Sequence, residues 1–164
     1  MEDINLRVIR KSRKPPKQGD VFAMQLPDGR YLFGRVIDID LSGERSPTPN
    51  SHLLYIYHVL REEKTVDPAD LPRDKLVIPP IYTNRLGWVR GYFETIGNWP
   101  LASTDVLERH CFWDVLYKRY VDGRGNAIEK PHEPCGEWGL ASYLVIDEEI
   151  SEALGIAPAS ADPT

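Results

Sequence analysis

Hydrophobic residues recur at every second position in two neighbouring runs near the start of the chain, and each run predicts a strand with one apolar face. The first set is Phe22, Met24 and Leu26, and the second, which Arg35 interrupts, is Tyr31, Phe33, Ile37 and Ile39. The segment between them contains Asp28-Gly29, a pair that tolerates the positive φ values of a tight turn. The pattern therefore predicts a β-hairpin over residues 19–36.

Further apolar runs predict the remaining strands. Residues 53–60 are apolar on both alternating faces, which is typical of a central strand that is covered on both sides. Residues 75–83 predict a strand with an edge, a bulge or a break at Pro79-Pro80, because proline cannot donate to a ladder. Three more strands are predicted over residues 87–96, 112–121 and 140–146, with a turn at residues 122–126 that begins a second hairpin.

Polar segments separate these strands, and two segments predict short helices. Residues 40–51 lack an apolar period and are rich in Ser, Pro and Gly, so they predict a surface loop. Residues 67–71 predict one helical turn after a cap. Residues 147–155 have an acidic N-cap and first turn and a glycine stop, which predict a C-terminal helix with Ile150 and Leu154 facing inward. We therefore expect an α+β fold, a mainly antiparallel β-sheet or partly open barrel with one or two short helices.

The length of the chain, 164 residues, fits one domain. We expect a basic lead-in segment or edge strand over residues 1–18, a single β-rich domain over residues 19–155 and a flexible tail over residues 156–164. The longest apolar runs fall far short of the roughly 20 residues that span a bilayer, and Met1-Glu2-Asp3 does not begin a secretory signal. The expected location is the cytoplasm, with no membrane partner.

Basic residues are concentrated near the start of the chain, where residues 7–17 include Arg7, Arg10, Lys11, Arg13, Lys14 and Lys17 and no acid. Because the formal net charge is −5, the remainder of the chain is strongly acidic. The basic segment could contact phosphate, but it lacks interleaved aromatic residues and the acidic remainder opposes nucleic acid. We therefore expect a solvated segment, no nucleic-acid partner, and a basic protein surface as the partner of the acidic body.

Histidine and cysteine are the candidates for nucleophilic or metal chemistry, namely His52, His58, His110, His132, Cys111 and Cys135. Thiolate and imidazole suit zinc, but the neighbours His110 and Cys111 would point to opposite faces of a strand. The sequence contains no nucleophile elbow, phosphate-binding loop, dinucleotide-binding or calcium-loop motif. We expect no metal, no cofactor and no catalytic residues, and in a reducing cytoplasm we expect two free thiols rather than a disulfide.

Polar loops and aromatic residues near strand ends are the candidates for binding. Acidic residues in two long loops would steer a basic partner, and ordinary solvated charge is the alternative for each of them. Tryptophan and tyrosine beside Gly or Pro are either core plugs or interface anchors; these are Trp88, Tyr92, Trp99 and Trp138. The candidate binding residues are Glu44, Glu62, Glu63, Asp67, Asp70 and Trp99.

Three short motifs resemble the immunity protein 26 family. The first comprises residues 19–26, Asp28-Gly29, Tyr31 and residues 33–36; the second is the segment 96–101 (IGNWPL), and the third is the segment 135–140 (CGEWGL). The resemblance extends over roughly residues 18–155. It implies a bacterial immunity protein of a polymorphic-toxin or contact-dependent inhibition system, which binds a cognate toxin domain and protects the producing cell. No catalytic residues of that family are carried over, and the matched positions are expected to be framework.

Two alternatives from other classes remain. A small-ligand or nucleic-acid-binding β-barrel module would use the basic segment and the exposed aromatic residues as its binding surface. A Cys/His hydrolase would use the two cysteines and the histidines. The sequence favours the non-catalytic immunity protein.

Overall fold

Two β-sheets and two α-helices make up the fold in the computed structural model, which describes residues 3–159. The strands are β1 (Asp20–Gln25), β2 (Tyr31–Asp40), β3 (Ser51–Arg61), β4 (Ile81–Thr83), β5 (Glu94–Asn98), β6 (Cys111–Asp114), β7 (Arg119–Val121) and β8 (Cys135–Glu137). The α-helices are α1 (Leu86–Val89) and α2 (Tyr143–Leu154), and short 3₁₀ helices cover Pro68–Asp70 and Ser103–Asp105. The fold is therefore α+β, as the sequence predicts.

The larger sheet is antiparallel and has the strand order β4-β3-β2-β1-β5. The smaller sheet has the order β7-β6-β8, in which β6 pairs with β7 in antiparallel and with β8 in parallel orientation. Within residues 3–159, neither sheet closes into a barrel.

The predicted hairpin is confirmed as β1 and β2. Gln25 pairs with Tyr31, and Leu26 N donates to Arg30 O at 2.8 Å across the turn. Gly29 has φ +93°, a backbone conformation that glycine adopts without a steric penalty. The turn at Asp28-Gly29 that the sequence predicts is therefore the turn that connects β1 and β2.

Both faces of the larger sheet are covered, and each face belongs to a separate hydrophobic core. The first core lies under α1 and α2 and includes Phe22, Met24, Trp88 and Ile146. The second core lies under the smaller sheet and includes Val21, Phe33, Tyr55, Phe112 and Val121. Strand β3 contributes to both cores, so the prediction of a central strand covered on both sides is confirmed.

The basic segment that precedes β1 packs its backbone on the domain and keeps its charges in solvent. Leu6 is buried in the first core, and Arg7 forms an isolated bridge with Gln25. The carboxylate of Asp147 in α2 accepts hydrogen bonds from the backbone N–H groups of Asn5 and Leu6, at 2.9–3.1 Å. The six basic side chains between residues 7 and 17 are exposed.

The prediction of a strand over residues 140–146 is wrong, because α2 begins inside it. Ser142 is the N-cap, and its side-chain oxygen accepts a hydrogen bond from Val145 N at 3.3 Å. The spacing of Tyr143, Ile146 and Ile150 buries one side of the helix. Asp147, predicted as the N-cap, is instead a buried residue within the helix, whereas the glycine stop at Gly155 is confirmed.

Two other predicted strands are also wrong in part. Residues 87–96 begin as α1 and enter β5 only at Glu94, after Gly91 with φ +89° has turned the chain. Residues 112–121 form the two strands β6 and β7, connected by residues 115–118, rather than one strand. The predicted turn at residues 122–126 is confirmed: Asp122 N donates to Asn126 O at 2.8 Å, and Val121 forms an isolated antiparallel bridge with Ala127.

The proline break and the short helical turn are confirmed. Leu76 forms an isolated bridge with Tyr57, but strand β4 begins only at Ile81, after Pro79-Pro80. Asp67 caps the 3₁₀ helix that follows it. Residues 160–164 of the predicted tail lie outside the described residues.

The prediction of two free thiols is wrong, because Cys111 and Cys135 form a disulfide. These residues are directly opposite each other in the parallel pair β6–β8, with their Cα atoms 4.6 Å apart. That separation lies within the range that disulfides require. The pairing depends on strand register, which the 24-residue sequence separation does not reveal.

Candidate functional site

An open cleft of about 760 Å³ lies where the segment after β3 meets the end of β5. We call it the acidic cleft. Its lining residues are Arg61, Glu62, Glu63, Thr65, Val66, Asp67, Pro68, Asp70 and Trp99. Five of the six candidate binding residues therefore lie in one place, although Trp99 is distant from the others in sequence.

Apolar anchors explain why the acidic segment folds over the sheet. Val66 and Leu71 pack on the second core, and this contact holds residues 62–71 against the domain. The segment is also ordered locally, because Asp67 accepts a hydrogen bond from Ala69 N at 2.9 Å and so caps Pro68–Asp70. The polar residues between the anchors consequently remain at the surface.

The carboxylates of the cleft are exposed and outnumber its basic groups. Glu62, Glu63, Asp67 and Asp70 are all exposed, and Arg61 is the one basic residue in the lining. Arg61 is 3.9 Å from Asp70, at the limit of an ion pair. The cleft therefore presents a net negative surface, and a surface of one sign attracts partners of the opposite sign.

Trp99 forms the apolar wall of the acidic cleft. Its side chain is 37% exposed, and its ring lies over Gly97, where a side chain would collide with the indole. Main-chain hydrogen bonds hold the residue: Trp99 N donates to Gly19 O at 3.0 Å, and Trp99 O accepts from Arg35 at 2.9 Å. A half-exposed, fixed indole beside carboxylates is typical of an interface anchor.

Arg35 is a positioning residue that the sequence indicated only as an interruption of the alternating pattern. It is 2% exposed, lies beneath Trp99, and its guanidinium is 3.3 Å from the carboxylate of Asp105. Asp105 in turn accepts a hydrogen bond from Ala102 N at 2.7 Å. A buried guanidinium needs such partners because burial penalises an unpaired charge. Arg35 therefore secures the segment 99–105 behind the cleft.

Glu44, the sixth candidate, lies outside the acidic cleft in the loop between β2 and β3. This loop is built around the buried carboxylate of Asp40, which accepts hydrogen bonds from Ser46 Oγ, Arg45 N and Ser42 Oγ. Burial by itself would raise the pKa of Asp40, but these hydrogen bonds lower it to about 2. Glu44 is exposed on the loop and is not part of the cleft lining.

The remaining aromatic candidates are mostly core residues. Trp88 and Tyr92 are buried in the first core, and Trp138 packs on the second core against Phe112 and Tyr82. Trp99 is the candidate among these four that has the largest exposure.

Two of the histidines, His110 and His132, line one cleft, whereas the two cysteines are joined to each other. His110 Nε2 lies 2.6 Å from the Tyr55 hydroxyl, and burial, followed by the proximity of His132, lowers the pKa of His110. Both cysteines are in the disulfide, so neither provides a thiolate. Among residues 3–159, no group of three or more His, Cys, Asp and Glu side chains is arranged to hold a metal ion.

No helix in the described part of the chain is long and apolar enough to cross a bilayer.

A comparison with known protein families identifies one family. The family model described as Immunity protein 26 matches residues 17–122, a range that includes β1 to β7 and the whole acidic cleft but ends before β8 and α2. No curated protein and no solved structure gives a significant match to the chain. Because the family model covers more than half of the chain, the protein belongs to the immunity protein 26 family.

Proposed function

We propose that this chain is an immunity protein that binds and neutralises a cognate bacterial toxin domain without catalysing a reaction. The convergence of Glu62, Glu63, Asp67, Asp70 and Trp99 on the acidic cleft carries the proposal for the binding site. The toxin domain would be the product of an adjacent gene in a polymorphic-toxin or contact-dependent inhibition system. Protection would take place in the cytoplasm of the producing cell.

The composition of the acidic cleft fits a basic partner surface. Carboxylates at the rim accelerate encounter with a basic surface, while an aromatic residue that loses its remaining exposure supplies binding energy. Stable protein interfaces bury roughly 1,200–2,000 Å² in total. The cleft would therefore be the centre of a wider interface, in which a few residues contribute most of the affinity.

Co-expression with the toxin domain from the adjacent gene tests the proposal. The cleft variant Glu62→Lys/Glu63→Lys reverses two exposed charges, so we expect loss of protection and weaker binding to the purified toxin domain. The control variant Glu129→Lys/Glu133→Lys makes the same charge change at exposed sites that are outside the cleft and are not candidate binding residues, and we expect it to protect as the wild type does.

The outcomes of this experiment test the immunity function and the location of the binding site independently. If the wild-type chain is soluble and abundant but the cell still dies, the immunity function is wrong for that toxin. If the wild type protects and both double variants protect equally well, the function stands and the acidic cleft is not the contact.

Trp99→Ala tests the apolar part of the cleft. The two hydrogen bonds of Trp99 use main-chain atoms, so this substitution removes the ring while keeping them. Loss of an aromatic hot spot costs about 2 kcal/mol or more, which is a decrease in toxin affinity of about 30-fold. Calorimetric titration of the purified toxin domain measures this change, and thermal unfolding of the free variant shows whether the fold is intact.

A nucleic-acid-binding or small-ligand module is the second candidate, because Arg10, Lys11, Lys14 and Lys17 line a cleft of about 870 Å³ beside β5. Deleting the whole basic segment is not a clean test, since Leu6 is part of the first core. Lys11→Ser/Lys14→Ser/Lys17→Ser removes three positive charges and leaves Leu6 in the first core. For a nucleic-acid binder, this variant would lose salt-dependent affinity for a single-stranded oligonucleotide, whereas an immunity protein would continue to protect.

A further inference from the structure

The connection between β6 and β7 exposes three consecutive large hydrophobic side chains. Val115 is 73% exposed, Leu116 is 77% exposed and Tyr117 is 67% exposed. Lys118 completes the four-residue connection, because Asp114 pairs with Arg119 in the ladder. We call residues 115–118 the hairpin tip.

Several contacts hold the hairpin tip in one conformation. The carboxylate of Asp114, a buried residue, accepts hydrogen bonds from Leu116 N at 3.1 Å and Tyr117 N at 3.4 Å. The guanidinium of Arg119 lies 5.2 Å from the centroid of the Tyr117 ring, within the range of a cation–π contact. The apolar side chains are thus presented to solvent by an ordered turn.

Apolar residues at these positions are not explained by the turn itself. Turns favour Gly, Asn, Asp and Ser, whose side chains either permit positive φ or bond to the backbone. Lys118 adopts φ +52° although it is not glycine. An exposed group of adjacent apolar side chains that contributes little to either core indicates an interaction surface.

A groove of complementary character lies beside α2. Its volume is about 650 Å³, and its apolar wall includes Val77, Pro79, Leu140 and Val145. Three carboxylates also line it, from Glu137, Glu149 and Glu152. We call it the apolar groove. Partial burial raises the pKa of Glu149, and the neighbouring carboxylates of Glu137, Glu152 and Glu148 raise it further, as expected where carboxylates cluster.

We propose that the hairpin tip of one copy of this chain binds in the apolar groove of a second copy, and that the two copies exchange this contact reciprocally. Val115, Leu116 and Tyr117 would cover the apolar wall of the groove. Lys118 and Arg119 would lie opposite its carboxylates. Both apolar and charge complementarity therefore point to a second copy as the occupant.

The strand register favours a closed pair over an open chain of subunits. Trp113, which immediately precedes Asp114, pairs with Glu137, and Glu137 lies at the rim of the apolar groove. The hairpin tip and the groove are consequently neighbours on the smaller sheet. Two patches that lie side by side can both be satisfied about one two-fold axis, which gives a dimer.

Sedimentation velocity of the purified full chain over a range of concentrations tests the proposal. We expect a concentration-dependent dimer for the wild type and a monomer for Leu116→Asp. Leu41→Asp is the matched control, because Leu41 is 69% exposed on the loop between β2 and β3 and is outside both patches; it should remain dimeric.

A charge exchange gives a sharper test of the pairing. Arg119→Glu and Glu149→Lys each place like charges in both contacts of a homodimer, so each variant alone should be monomeric. In an equimolar mixture of the two variants, a heterodimer has opposite charges in both contacts. One contact has the two charges exchanged, and the other has the wild-type pair Arg119 and Glu149, so the mixture should form a heterodimer. Circular dichroism of each variant verifies that it is folded.

Other outcomes overturn the proposal. A wild type that is monomeric at every concentration excludes the dimer. If that monomer binds vesicles containing phosphatidylglycerol, or the purified toxin domain, and Leu116→Asp does not, then the occupant of this surface is a membrane or the toxin. If Leu116→Asp and Leu41→Asp weaken the dimer equally, the contact lies elsewhere. The same conclusion follows if the mixture of Arg119→Glu and Glu149→Lys stays monomeric.

Discussion

Buried charged residues hold connecting segments of this protein in place. Arg35 anchors the segment 99–105 through the Trp99 carbonyl and the Asp105 carboxylate, and Asp40 organises the loop between β2 and β3. In both cases the charge is buried and its partners are fixed. Removal of one partner therefore leaves a buried polar group unsatisfied, which is more costly than the loss of a hydrogen bond in water.

The pKa of Asp40 leads to a prediction about acid stability. Because the folded pKa is about 2 and the ordinary value is 3.8, the unfolded chain takes up the proton first as the pH falls. The contribution of Asp40 is thus complete above about pH 3.8 and is lost as the pH falls through about 2. Urea unfolding across this window should show a smaller acid-dependent loss of stability for Asp40→Asn than for the wild type. An unchanged pH profile would contradict this role.

At the scale of elements, α2 depends on a cap that the strand prediction concealed. The apolar run before residue 147 suggested a strand, but Ser142 redirects it into a helix, and the helix then covers the first core. The period of the buried residues, rather than their number, distinguishes the two structures.

Ser142→Ala tests the cap of α2. This substitution should lower the free energy of unfolding by about 1 kcal/mol, because Val145 N loses its side-chain acceptor. Ser142→Asp keeps an acceptor at the same place and should cost less. Urea denaturation measures both variants, and equal losses for the two would show that the cap is not the cause.

The disulfide links β6 to β8 and supports the base of the hairpin tip. It closes a loop defined by a sequence separation of 24, and the chain-entropy model gives about 3.5 kcal/mol of stabilisation for such a loop. Reduction of the wild type should therefore lower the free energy of unfolding by about this amount. A Cys111→Ala/Cys135→Ala variant provides the control, since its stability should not respond to reductant. A wild type that is equally stable with and without reductant would contradict the prediction.

At the scale of the whole molecule, charge is distributed unevenly. Exposed basic residues before β1 lie near β5, whereas the acidic cleft collects carboxylates at the end of β3. The net charge of −5 is a total over the whole chain and describes neither of these regions. A partner therefore encounters a local field that depends on which surface it approaches.

Association with a basic toxin domain should depend on salt through the acidic cleft. We expect the association rate of the wild type to fall as ionic strength rises, because salt screens long-range steering. In Glu62→Lys/Glu63→Lys this dependence should be weaker, while Glu129→Lys/Glu133→Lys should retain more of it. Stopped-flow measurements at several salt concentrations give these rates. Identical salt dependence in both variants would place the steering charges elsewhere.

Features that depend only on neighbouring residues could be predicted from the amino-acid sequence alone. The alternating pattern and Asp28-Gly29 were sufficient for the β1–β2 hairpin, since both strand faces and turn chemistry are local. Asp67 likewise predicted its own helical turn. The acidic residues of the segment 62–70 could be predicted to lie at the surface, because apolar residues do not recur at regular spacing in this segment.

Long-range packing determines which residues distant in sequence come into contact. Trp99 joins the acidic cleft because Val66 and Leu71 pack on the second core and carry the segment 62–71 across the sheet, which no local pattern encodes. The disulfide required the register of β6 and β8, and the exposure of Leu116 required a turn within a run that alternates like one strand. Local chemistry therefore specified the elements, whereas long-range packing and register specified the surfaces that they form together.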